Sequence, residues 1–360
     1  MAVTSDGSMY VVGPTDGALS DQPGQDTDIF VRKYDCSGNE QWTRQFGTPR
    51  TDYVMTAAAD NEGNLYVPAY TLRPPDKGPS DFLIRKYDRS GNVIWSHEFG
   101  SENAGYELIE TSAVDPQGEL VIAGRDQNQD PLEDAFVAKY DGAGRERWTR
   151  HFGAFGFDDI RHVHATQRGN ILLTGDAQGA LPGQTSAGDF DAFVRKYDPS
   201  GRELWTRQFG SSGTDMGQVV TTDADENVFV LWRTSQSESE SGADRFLQKF
   251  DAEGKQLWSR EIGARELGVS ATTLDTHGNV YLGGEPQRKK VTDPLLDAYI
   301  VKYDPSGREL DRVTLGPAGT GYPKQLFAGL SGVVYGTGSV HVRDWETGND
   351  DVIAFRWMQK

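Results

Sequence analysis

The chain has 360 residues, 42 of them glycine, and a formal charge of −18. That acidity opposes binding to nucleic acid or to an anionic membrane surface, and a single cysteine, Cys36, excludes an internal disulfide and a Cys-based zinc cluster. No apolar run approaches the roughly 20 residues of a membrane span, and the first residues lack the basic and apolar regions of a signal peptide, so the chain is expected to begin inside its fold.

In chain order the first element is a strand, Gly7-Ser-Met-Tyr-Val-Val-Gly13. The second, Asp28-Ile-Phe-Val-Arg-Lys-Tyr-Asp35, alternates as a half-buried strand does, with Phe30, Arg32 and Tyr34 on one face. A turn follows, Asp35-Cys36-Ser37-Gly38, in which Asp favours an Asx turn and Gly a positive φ. Cys36 is read there as a tolerated turn residue. A third strand, Trp42-Thr-Arg44-Gln-Phe46-Gly47, places Trp, Arg and Phe on one face, so the guanidinium can lie along the rings. Next come a strand ending in Met55-Thr-Ala-Ala-Ala-Asp60, the turn Asn61-Glu62-Gly63 and the strand Leu65-Tyr66-Val67.

From there the elements recur. Copies of the Asp28 strand begin at Asp81, Asp134, Asp191, Asp244 and Asp297, with a decayed one from Asp351 to Trp357, so successive starts lie 53, 53, 57, 53, 53 and 54 residues apart. The Trp strand recurs at Trp95, Trp148, Trp205 and Trp258, and no stretch has a capped helical period. Each unit reads as four antiparallel strands, A to D, with A innermost. The expectation is an all-β, seven-bladed β-propeller of four-stranded antiparallel blades, the last three-stranded. It forms one domain over residues 1–360, with blades at about 1–47, 48–100, 101–153, 154–210, 211–263, 264–316 and 317–360. Loops D–A and B–C then share one face, the top, and Trp205 is expected to be buried.

The assembled motif is Gly-x-Tyr-Val-x-Gly, a loop, then Asp-Ala-Phe-Val-x-Lys-Tyr-Asp-x-Ser-Gly-x-x-x-Trp. It resembles the SBBP repeat of bacterial seven-bladed propellers over nearly the whole chain. The blade 4 loop, Gly179-Ala-Leu-Pro-Gly-Gln184 leading to Asp191-Ala-Phe-Val194, is an especially close match. Departures fall at Asp311, where a Trp is expected, and in the shortened seventh blade. The resemblance implies a bacterial secreted, cell-surface or periplasmic protein and no shared reaction or catalytic residues. Quinoprotein propellers share Asp-x-x-Gly-x-x-x-Trp, but the adjacent cysteines some of them use cannot be matched here.

Repeated residues hold such a frame together, so candidate sites lie where repeats differ. Trp232 stands where sister repeats carry Gly13, Ala69, Gly124, Gly175, Gly284 and Gly338; with Arg233 it is a candidate cleft wall, or else it covers a gap near its own loop. Phe155 and Phe157 put aromatics on a D–A loop that is polar elsewhere, either for binding or tucked against a neighbour. These four residues form the candidate ligand site. Glu107, Glu110, Arg161, His162, His164 and Lys324 are expected to line the channel, and the two histidines point the same way. Asp52, Asp158 and Asp215 occupy equivalent positions, either capping strand A or, as the alternative, holding calcium. No metal or other cofactor is expected, and no pairing of base and nucleophile marks an active site. The expected role is a non-enzymatic scaffold, a monomer or part of a longer chain, that binds protein or glycan through its top loops. The alternatives are a structural spacer in a longer surface protein, or a lyase or hydrolase using the channel residues.

Overall fold

The computed structural model describes residues 1–19, 27–71, 81–99, 107–126, 134–154, 156–235, 244–262, 267–286, 298–315, 322–328, 333–341 and 350–358. Among them there is no helix, and the strands within each repeat pair antiparallel. The chain divides into two compact units, Met1–Thr185 with Phe193–Gln208, and Ser186–Ala192 with Phe209–Lys360.

In unit 1, repeat 1 comprises β1 (Ala2–Val3), β2 (Met9–Thr15), β3 (Asp28–Tyr34) and β4 (Glu40–Phe46). Repeat 2 comprises β5 (Asp52–Tyr53), β6 (Ala58–Ala59), β7 (Leu65–Thr71), β8 (Asp81–Tyr87) and β9 (Val93–Phe99); its A strand is in two pieces, both paired to β7. Repeat 3 comprises β10 (Glu107–Val114), β11 (Leu120–Asp126), β12 (Asp134–Tyr140) and β13 (Glu146–Phe152). Repeat 4 comprises β14 (Asp158–Ala165), β15 (Ile171–Gln178), β16 (Phe190–Tyr197) and β17 (Glu203–Phe209), and the unit boundary passes through its last two strands.

Unit 2 holds β18 (Thr214–Thr222), β19 (Val228–Ser235), β20 (Asp244–Phe250) and β21 (Gln256–Glu261), then β22 (Leu267–Leu274), β23 (Val280–Pro286), β24 (Tyr299–Tyr303) and β25 (Glu309–Thr314). It ends with a three-stranded sheet of β26 (Tyr322–Ala328), β27 (Val333–His341) and β28 (Asp350–Met358). Within this unit Phe190 and Thr214 form one parallel bridge.

The turns follow the chemistry expected of them. Asp35 Oδ1 accepts the amides of Ser37 and Asn39, each at 2.9 Å, and Gly38 takes φ 85°. The same Asx turn recurs at Asp88, Asp141, Asp198, Asp251 and Asp304. Hydroxyl hydrogen bonds from Ser200 and Ser306 hold the Asp198 and Asp304 carboxyls down at about 2.

Adjacent repeats are joined by the repeated polar and aromatic side chains, which donate to turn carbonyls of the next repeat. Trp42, Trp95 and Trp148 donate through Nε1 to Arg89 O at 3.2 Å, Gly142 O at 2.9 Å and Pro199 O at 3.1 Å. Tyr10 and Tyr66 reach Gly63 O and Gly118 O at 2.6 and 2.7 Å, while Lys33 and Lys86 reach Arg89 O and Gly142 O. Arg44 and Arg150 lie 5.4 and 5.6 Å from the Trp42 and Trp148 ring centres and donate to Gly91 O and Gly201 O. A Cβ on Gly201 would meet the Trp148 ring at 2.6 Å, so the turn glycine also makes room for the indole. Trp205 is buried as expected. Apolar side chains of repeats 3 and 4, among them Val121, Val137, Ile160, Leu173 and Phe193, form one core cluster within unit 1.

Candidate functional site

The A strands carry an irregularity that positions the polar candidates. In β10, β14, β18, β22 and β26 the register to the B strand slips by one residue, leaving Glu110, Arg161, Gln218, Ser270 and Lys324 as the extra residues of β-bulges. In repeats 3 and 4 the facing B-strand residue must be glycine. A Cβ on Gly124 would lie 1.8 Å from the Leu108 carbonyl oxygen, and one on Gly175 would lie 1.8 Å from that of Asp159. Met55 occupies the equivalent place in repeat 2, between β5 and β6, and is exposed.

In unit 1 two of these bulge residues join a continuous ionic array. Glu110 Oε1 accepts from Arg125 Nη2 at 3.0 Å, and Arg125 Nε lies 3.7 Å from Asp159 Oδ1. Asp159 Oδ2 is 3.1 Å from Arg161 Nη2, and Arg161 Nε donates to Asp176 Oδ1 at 2.5 Å. Asp176 is buried, whereas the Arg161 side chain is 38% exposed, so the array runs from the interior to the surface. Asp159 and Asp176 are a cross-strand pair, which places both carboxylates on one face of the β14–β15 hairpin.

Phe157 stands at the loop end of that hairpin. Its amide donates to Gln178 Oε1 at 3.2 Å and its carbonyl accepts the Gln178 amide at 2.9 Å, yet the residue is 51% exposed. A surface aromatic is thus held on a fixed backbone. The B–C loop beside it is tied down by Gln208, whose side chain accepts from Leu181 N at 2.8 Å and donates to Gly179 O at 2.6 Å.

The remaining candidates fall elsewhere. Phe155 lies outside the described residues, as does the side chain of Glu107. His162 and His164 are half-buried in β14, and desolvation with the neighbouring His164 lowers the His162 pKa to about 3. Asp52, Asp158 and Asp215 cap the D–A turn: their carboxylates accept the amides of Thr48, Ala154 and Ser211, each at 2.6 Å. Burial raises the Asp52 pKa, against the hydrogen bonds from Thr71 and Thr48. Among the described residues, no three His, Cys, Asp or Glu side chains are placed to hold a metal. Lys324 is an exposed bulge residue of unit 2.

Trp232 does not wall an open cleft. It is buried, stacked on Phe246 at 4.6 Å and 20° and meeting Phe209 edge-on at 5.6 Å. Where repeats 3, 4 and 6 pair Ile109, Ile160 and Val269 with glycine, repeat 5 pairs Trp232 with Gly217, so bulk has moved from one strand to the other. Arg233 beside it donates to Met216 Sδ at 3.1 Å.

Sequence reading passed over Arg125, Asp159, Asp176 and Gln178. A paired basic and acidic residue at the loop end of successive B and A strands was the available signal, visible only once the bulge sets the register. Tyr53 and Tyr70 were also missed; they stack across β5 and β7 with centroids 5.3 Å apart.

No known family profile matches the chain. It is 25% identical over 162 residues to the regulatory protein FlaEY of Caulobacter vibrioides, covering 39% of this chain and 17% of that protein. It is 24% identical over 202 residues to an uncharacterized WD repeat-containing protein of Acanthamoeba polyphaga mimivirus, covering 53% of this chain and 12% of the other. The chain therefore spans less than a fifth of each of these relatives. Among solved structures, the β-propeller domain of the Trilobed protease of Pyrococcus furiosus, described as having an open velcro topology, matches 100% of this chain and 94% of its own with a TM-score of 0.54 at 9% identity. A Synechocystis apocarotenoid oxygenase matches 93% of this chain and 84% of its own with a TM-score of 0.52 at 11% identity. These likenesses and the helix-free antiparallel sheets establish an all-β fold of the propeller kind.

Proposed function

We propose that the chain is a seven-bladed propeller of the SBBP type, with a three-stranded last blade, and that it is a non-enzymatic interaction scaffold of a bacterial secreted or surface protein, binding protein or glycan at its loop ends. The seven strand meanders at near-constant spacing support the blade count. One observation carries the functional reading: repeated Trp, Tyr, Lys and Arg side chains are committed to turn carbonyls of the next repeat, whereas Phe157, two residues before Asp159 of the Arg161 array, has a tied backbone and an exposed side chain. Repeated frame side chains take partners in the next repeat, whereas Phe157 sits in a loop with a tied backbone, the kind of position that carries function on a rigid frame.

Two features weigh against chemistry at the polar candidates. Glu110 and Arg161 are already engaged in ion pairs, and His162, with its pKa near 3, is far from the range of an efficient base at neutral pH. The small share of each relative that the chain spans fits a module in a longer protein. The test is a combined glycan and peptide array probed with the chain and with Phe157→Ser. The reading expects array signals that the substitution removes; signals unchanged by it contradict the assignment of this face.

A further inference from the structure

We infer that the loop end of repeats 3 and 4 binds a neutral carbohydrate, with Phe157 as the platform for the apolar face of a sugar ring and the Arg161 array as the partner of its hydroxyls; this rests on the scaffold reading above and gives its ligand a class. The first argument is charge balance. Two guanidinium groups, Arg125 and Arg161, interleave with three carboxylates, Glu110, Asp159 and Asp176, a formal balance of −1 in which every carboxylate is already paired with a guanidinium. That balance repels an anion, and a cation would have to compete with the guanidinium groups for carboxylates they already hold. A hydroxyl needs none, because it accepts from a guanidinium N–H and donates to a carboxylate oxygen at once.

The second argument is geometry. Asp159 lies two residues beyond Phe157 along the chain, about 7 Å for extended backbone, and burial alternates from Phe157 through Ile160, with Asp158 and Ile160 buried, so Phe157 and Asp159 share the less buried side. A ring stacked on Phe157 therefore leaves its polar edge within reach of Asp159 and the exposed Arg161 head. The Phe157 backbone is held by Gln178 and the Arg161 side chain by Asp159 and Asp176, which lowers the ordering cost of binding.

The third argument is what the face lacks. Among the described residues, Phe157 is the one exposed large apolar side chain on the A–B hairpins of repeats 3 and 4 and the loops leading into them. A protein partner of standard size would bury roughly 800 Å² on this side with an apolar centre, whereas one aromatic ring amid hydrogen-bonding groups matches the footprint of a sugar.

The experiment is calorimetric titration of the chain with cellotetraose, laminaritetraose, mannotetraose and galactotetraose, with oligolysine and oligoglutamate as charged probes. At least one tetrasaccharide is expected to bind with Kd below about 1 mM, changing less than about twofold between about 0.05 and 0.5 M salt because no net charge is neutralised. Phe157→Ala should weaken that binding about tenfold or more, Phe157→Trp should retain it, and neither should change the melting temperature. Failure of all four tetrasaccharides to bind overturns the inference. So does binding that Phe157→Ala leaves intact, or steeply salt-dependent binding of a charged probe in their place. If the sugars fail while an array partner still depends on Phe157, the ligand class is wrong and the scaffold reading stands. If no partner depends on Phe157, both fall.

Discussion

Replacing Trp148 with alanine should remove more stability than any substitution at the proposed binding face. The indole is buried and belongs to the core cluster shared by repeats 3 and 4. It tilts against Tyr197 at 6.1 Å, covers Gly201, and donates to Pro199 O at 3.1 Å. Truncating a buried Trp to Ala costs about 3–5 kcal/mol through lost transfer energy and the cavity left behind. The lost hydrogen bond adds about 1 kcal/mol at most, because the Pro199 carbonyl sits at a turn where water can replace the donor. A loss of about 4 kcal/mol in a unit of this size lowers the melting temperature by roughly 8–16 °C. Urea titration followed by far-UV circular dichroism measures the first quantity and a thermal scan the second. Trp148→Phe, which keeps a ring but not the N–H, should cost distinctly less. A Trp148→Ala variant within about 1 kcal/mol of the parent would refute the idea that the D-strand tryptophans join the repeats.

Three further outcomes are expected. Gly175→Ala drives a Cβ to within 1.8 Å of the Asp159 carbonyl oxygen, so it should cost about 3 kcal/mol and disturb the Asp159–Arg161 pair, whereas alanine at the open-space Gly183 costs only its φ penalty; equal denaturation midpoints for the two would contradict the bulge argument. Trp232→Phe should change stability by no more than about 1 kcal/mol, because the stack on Phe246 survives and a buried N–H without a hydrogen-bond partner is removed, while Trp232→Ala should cost about 3 kcal/mol or more. His162 titrates near 3 when folded and near 6.5 when unfolded, so the unfolded chain binds the extra proton; stability is full above pH 6.5 and falls by up to about 1.4 kcal/mol per unit as pH drops toward 3, and His162→Thr, the residue of repeats 2 and 3 at Thr56 and Thr111, should flatten the loss between pH 7 and 5.5.

The frame was legible because its signals are local. Asp-x-x-Gly fixes a turn within four residues, and the Tyr, Lys and Trp of most repeats return at a period that survives a longer loop in repeat 4. The site was less so. Glu110, Arg161 and Lys324 stand out by polarity, but the bulge that presents them depends on a carbonyl approaching a glycine on the neighbouring strand, as Asp159 O approaches Gly175. The Arg125–Asp159 pair joins residues of different repeats and has no counterpart in the repeated pattern. Trp232 misled for a related reason. Compared down the column of B strands it replaces glycine and looks anomalous; compared across the ladder it faces Gly217, and the two exchange volume with the Ile–Gly pairs of repeats 3 and 4. Packing compensates between strands, and a single-strand comparison misses it.

Hydrogen exchange of the chain, with and without the ligand that scores highest on the array, tests most directly whether the displayed residues rather than the repeated ones meet the partner. The expected footprint is slowed exchange at residues 156–162 and 174–179, where Phe157, Asp159, Arg161 and Gln178 lie, with the C–D turns unchanged. Protection confined to those turns, or to the outer D strands carrying Trp42, Trp95 and Trp148, would contradict the account.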